Sequence, residues 1–124
     1  MGERPHKRLI AWQKAMALVR EIDALTKRFP MEERFGLTPQ MRRAAISIAS
    51  NLAEGATRRT DKEKIQFFSV AAGSASELDT QLEICGQVKL ISQEQQEQAQ
   101  ALLDHVSRLI SGLVRSRKDR QETR

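Results

Sequence analysis

Between Phe35 and Gly55 the chain reads FGLTPQMRRAAISIASNLAEG, and the smallness of its side chains narrows the possible folds more than any other feature. The segment is rich in helix formers, yet Ala44, Ala45, Ser47, Ala49, Ser50 and Ala53 each bury little area. Such a helix gains its stability only where neighbouring backbones approach closely. Thr38 is placed to cap the first free N–H groups, Pro39 suits the first helical position, and Gly55 is expected to supply the stop. The spacing predicts a helix from about Pro39 to Glu54 with Met41, Ala45, Ile48 and Leu52 facing inward.

Three further helices follow from periodicity. From about Leu9 to Phe29 the stripe Ala11, Ala15, Leu18, Ile22, Leu25 and Phe29 recurs every three or four residues and ends at Pro30. Thr60 with Glu63 makes a capping-box pattern, and Phe68, Ala71, Ala75, Leu78, Leu82 and Cys85 carry a heptad-like seam to about Val88. Ser92 with Gln95 repeats the capping pattern ahead of Ala99, Leu102, Val106, Leu109 and Leu113. Short connections between long amphipathic helices make neighbours antiparallel, so the expected fold is all-α, an up-down-up-down antiparallel four-helix bundle. Residues 1–117 form its single domain, with 118–124 a disordered basic tail. Phe35 and Leu37 are expected to cover the far end of the longer hairpin, on Leu82, Val88 and Leu90. No apolar run approaches the length needed to cross a bilayer, and the lone Cys85 cannot form an internal disulfide, so a cytoplasmic location is expected.

Charge is uneven along the chain. Residues 1–14 carry four basic and one acidic side chain, 55–64 four and two, and 115–124 five and two. In the expected topology these three stretches meet at one end, giving a basic pole of Arg4, Lys7, Arg8, Arg58, Arg59, Lys62, Lys64, Arg115, Arg117 and Lys118. A field of that kind attracts phosphate backbones, so RNA or DNA is the candidate partner; solvated surface is the plainer reading. With no tyrosine and one tryptophan, Trp12, there is no platform for stacking bases, which favours structured RNA or duplex backbone over single strands.

Two polar stripes run beside the small residues. Gln40, Arg43, Ser47, Asn51 and Glu54 share one helix face, and Ser74, Glu77 and Gln81 share another. An antiparallel register would bring Arg42 and Arg43 near Ser74 and Glu77, where they would form a polar network or a subunit interface. Parts for catalysis are missing: neither His6 nor His105 follows a carboxylate at Glu-x-x-His spacing, no phosphate-binding glycine loop or nucleophile elbow is present, and Cys85 falls in a core seam. No catalytic residue, metal site or cofactor is assigned, and Trp12 reads as a packing or interface anchor.

The pieces WQKAMAL (Trp12 to Leu18), LTKRFP (Leu25 to Pro30), FGLTPQMRRAAISIASNLAEG and AAGSASELDTQLEI (Ala71 to Ile84) resemble the four-helix-bundle family of 23S rRNA intervening-sequence proteins. The resemblance implies a ring-like homopentamer whose biochemical role is largely unassigned. It brings no catalytic residues. It also implies likeness in fold to the basic pentameric accessory proteins of diversity-generating retroelements, which associate with nucleic acid and a reverse transcriptase. By position, Arg42, Arg43, Ser47, Asn51, Glu54, Gly55, Gly73, Ser74, Glu77 and Gln81 stand where that family has its polar and small residues. The expected function is a non-enzymatic oligomer binding nucleic acid through its pole; the alternative is a protein-interaction scaffold ring without direct nucleic-acid contact.

Overall fold

A computed structural model describes residues 4–33 and 36–123. A 3-10 turn, Pro5–Arg8, leads into four α-helices: α1 Ile10–Lys27, α2 Leu37–Ala56, α3 Asp61–Gln87 and α4 Gln93–Glu122, with a second 3-10 turn at Met31–Glu33. Among the described residues there is no strand. Each helix packs mainly on two neighbours, α1 on α2 and α4, and α3 on α2 and α4, as in a four-helix bundle.

The apolar stripes become the core. Leu18, Ile22, Met41, Ile48, Leu52, Phe68, Leu78 and Leu82 are fully buried, interleaved with Ala15, Ala45, Ala71 and Ala75. Alternating large and small side chains let the helices sit close. On α4 the buried line is Ala99, Leu103, Val106 and Ile110, whereas Leu102, Leu109 and Leu113 lie at its edge. Ala99 and Val106 stand where expected, while Leu103 and Ile110 replace Leu102 and Leu109, because α4 carries apolar residues over more than one row and burial against α1 and α3 together selects the middle one.

Helix ends differ from expectation where tertiary contacts replace local signals. The capping patterns at Thr60 and Ser92 form, each side chain accepting the N–H three residues on at 3.1 Å. The α2 start is shifted: Gly36 occupies the cap position, Thr38 makes no cap, and both it and Pro39 lie in the first turn, whose N–H groups are free in any case. Nor does Gly55 end α2. It lies inside the helix, buried, because a Cβ there would stand 2.6 Å from the Phe68 ring. Lys64 terminates α2 instead, its ammonium donating to the Gly55 and Ala56 carbonyls at 3.3 and 3.0 Å, where cation and helix dipole also attract. α3 closes with Lys89 in the left-handed region (φ 62°), and Leu90 N–H reaches back to the Cys85 carbonyl at 2.9 Å.

The segment expected to be a disordered tail is helical as far as Glu122, because Asp61 anchors it from the start of α3. Leu37 and Leu90 each pack against the core, whereas Val88, expected beneath Phe35 and Leu37, is 60% exposed, and Phe35 lies outside the described residues.

Cys85 touches Met41 sulfur to sulfur at 3.5 Å in this core. Burial first, and then nearby Glu33, push its thiol from an ordinary 9.0 up to about 11. Because the unfolded thiol loses its proton first, this residue's contribution to stability is intact below pH 9 and is lost between about 9 and 11. Alkylation at pH 8 should be negligible in the native protein and rapid in denaturant. Equal rates in both would place the thiol at the surface.

Candidate nucleic-acid interface

α3 begins at Asp61, which is only 3% exposed. Its two oxygens meet Arg117 at 3.8 Å and Arg120 at 3.6 Å, so the turn between α2 and α3 is tied to the last turns of α4. Lys64 sits in the same cluster. Burial, and next Arg117, lower its pKa below the usual lysine range, with Asp61 pulling the other way and Arg120 adding to the fall. On the other side of the turn, Arg58 pairs with Glu54 at 2.5 Å and lies 4.6 Å over the Phe67 ring.

Two of the three basic stretches are therefore in contact. Within them Lys64 and Arg117 hold the fold together and Arg58 is partly neutralised, whereas Arg59, Lys62, Arg115 and Lys118 are exposed and join no ion pair among the described residues. The third stretch forms the turn Pro5–Arg8, which packs on α1 and α2 and leaves Arg4, Lys7 and Arg8 exposed. His6 meets the edge of Trp12 at 5.0 Å, and the Gln13 amide donates to the Lys7 carbonyl at 2.9 Å. Sequence reasoning missed Asp61 and Arg120. Thr60-Asp61 reads as an ordinary helix start, and only the docking of α4 buries the carboxylate.

The polar stripes divide. Ser47 and Ser74 share a hydrogen bond of 2.7 Å across α2 and α3, and the Asn51 amide donates to the Ser47 carbonyl and hydroxyl at 2.8 and 3.1 Å. Gln81 is 6% exposed, while Arg43 and Glu77 are open to solvent. Arg42 faces α1 rather than α3. Its Nε donates to Thr26 Oγ1 at 2.8 Å and its Nη2 lies 3.7 Å from Asp23. One residue is about 100° of helix, enough to take Arg42 off the stripe that Arg43 shares with Ser47.

On the outer side of α1 and α2, Trp12, Met16, Val19, Ile46, Ala49, Ser50 and Ala53 line an uncharged groove of about 250 Å³. Among the described residues no cluster of three or more His, Cys, Asp or Glu could hold a metal ion, and no helix is long and apolar enough to cross a membrane.

Comparison with known proteins gives the fold a context. The family model for the 23S rRNA-intervening sequence protein matches residues 7–112. No curated protein matches. The crystal structure of a protein of unknown function from the S23 ribosomal protein family of Bacteroides thetaiotaomicron VPI-5482 is similar to this chain at a TM-score of 0.80 and 21% identity, covering 86% of this chain and 96% of that one. At that identity the likeness concerns the fold alone.

Proposed function

The chain belongs to the 23S rRNA-intervening sequence protein family, and on that premise we propose that it is a non-enzymatic, oligomeric bundle that holds RNA or another phosphate polymer on a basic pole. The observation that carries this reading is the Asp61 clasp, which brings the 55–64 turn against the end of α4 and leaves exposed cations around the joint. An up-down-up-down topology would add the start of α1 to the same end. It is supported by side-chain pairs that run in opposite order along successive helices: Thr26 with Arg42, then Met41 with Cys85 and Ser47 with Ser74, then Glu83 with Gln96 and Asp61 with Arg117.

The ring-like homopentamer implied by resemblance would align five such poles, giving avidity that one subunit lacks. The uncharged Trp12 groove supports self-association, since a ring of parallel subunits sets like levels side by side and an apolar contact carries no repulsion there. It also favours the second reading, a scaffold whose partner is another protein.

Filter binding of structured RNA across a salt series tests the leading reading. Affinity should fall steeply as salt rises, and Arg59→Glu with Lys62→Glu should weaken binding about tenfold or more at low salt while the circular dichroism spectrum stays unchanged. Both side chains are exposed and bear no structural load, so a loss is not a folding defect. Binding that is absent at low salt, or indifferent to salt, overturns the reading. One stoichiometric protein partner recovered after nuclease treatment would favour the scaffold.

A further inference from the structure

The outer face shared by α3 and α4 is divided by charge along its length. At one end Asp79, Glu83, Glu97 and Asp104 line a groove of about 500 Å³. At the other, Arg115 and Lys118 flank a groove of about 400 Å³ floored by Ala72, Ile110 and Val114. Ser69 and Ser111 keep this second groove shallow. Positions 72, 76, 79 and 83 of α3, and 97, 100, 104, 108, 111, 115 and 118 of α4, follow one another at steps of three and four, so both ends belong to one continuous stripe.

The acidic charges are held in place without being neutralised. Gln100 donates to Asp79 and Asp104, Gln96 to Glu83 at 3.0 Å, and Gln93 to Glu97 at 3.2 Å. Each partner is a neutral amide. Among the described residues neither the four carboxylates nor Arg115 and Lys118 join an ion pair. Groups fixed before contact lose less entropy when a partner arrives.

We propose that this face binds a second copy of the chain about a two-fold axis, the acidic half of each copy on the basic half of the other. Two-fold symmetry applies the same patch twice, and reversing direction is what sets opposite charges against each other. A ring of parallel subunits would instead bring like charges to the same level. This pairing of one face with itself differs in kind from a ring contact, which joins two different faces, and the inference does not rest on nucleic-acid binding. From 97 to 118 the stripe runs about 32 Å along α4, and two helices side by side span about 20 Å. A patch of about 600 Å² per partner is at the small end of specific complexes. Because the contacts are charged and rimmed by solvent, the pairing should be strong at low salt and fade as salt screens it.

Two variants test it: Arg115→Glu with Lys118→Glu, and Glu97→Lys with Asp104→Lys. At low salt, light scattering should give each variant a lower mass than the wild-type protein: half where the unit that pairs is a single chain, and less than half where it is a ring whose several copies of the face each recruit another. An equimolar mixture of the two should recover the full mass, because each then supplies what the other lost. Helical content by circular dichroism should match wild type in both. Unchanged mass in the variants, or a mixture that stays at the mass of the separate variants, overturns the proposal. So does a fall confined to the Arg115/Lys118 variant and accompanied by loss of absorbance at 260 nm, which would assign the basic half to bound nucleic acid.

Discussion

Replacing Phe68 with alanine should lower the unfolding free energy by about 3–5 kcal/mol, the usual cost of emptying a buried aromatic site. Phe68 is 1% exposed and lies against Gly55 of α2, where an added Cβ would come within 2.6 Å of Cε1 and 2.8 Å of Cδ1. In the wild-type background Gly55→Ala should therefore destabilise by about 1–3 kcal/mol through overpacking, outweighing the gain of about 1 kcal/mol in helix propensity. Removing the ring removes the two closest contacts and leaves one of 3.1 Å to the Phe67 Cβ. In the Phe68→Ala background the same Gly55→Ala change should therefore cost much less than in the wild-type protein. Urea unfolding of the four proteins gives the coupling directly. Additive effects would show that something other than the ring requires glycine there.

Removing the Asp61 carboxylate is the second large perturbation. Asp61→Ala leaves Arg117, Arg120 and Lys64 facing one another without their shared anion. Breaking a buried pair costs about 3–5 kcal/mol, but Arg120 is half exposed and water screens part of the loss, so about 1–3 kcal/mol is expected. The damage should be local. Amide exchange should accelerate from Arg115 to Thr123 while the Ala99 to Ile110 stretch keeps its protection. Asp61→Asn, which preserves shape and removes charge, should behave similarly. If both variants keep α4 protected to Glu122, the helix end owes its order to something other than the clasp.

Most of the architecture was legible because periodicity reports burial directly. Every predicted core position of α2 and α3 is buried, and both N-caps form, since a cap needs only residues three apart, although only Ser92 with Gln95 completes the reciprocal box. What could not be read depends on contacts between distant segments. Gly55 looked like a stop because glycine usually ends helices, yet here it makes room for a ring thirteen positions away. Arg42 and Arg43 differ by one step of helix and face different neighbours. The last turns of α4 are polar enough to read as disordered, and the buried aspartate that meets them comes from another helix. The exposed part of the candidate interface, Arg59, Lys62, Arg115 and Lys118, was visible as charge runs; the division between cations that hold the fold and cations left open was not.

The edge-on contact of His6 with Trp12 has an optical consequence. The chain has a single indole and no tyrosine, so emission excited at the red edge of its absorption comes from one place, the floor of the α1–α2 groove. The brightness of this protein is thus a gauge of whether the turn before α1 is seated, and its colour a gauge of whether anything has settled on the groove.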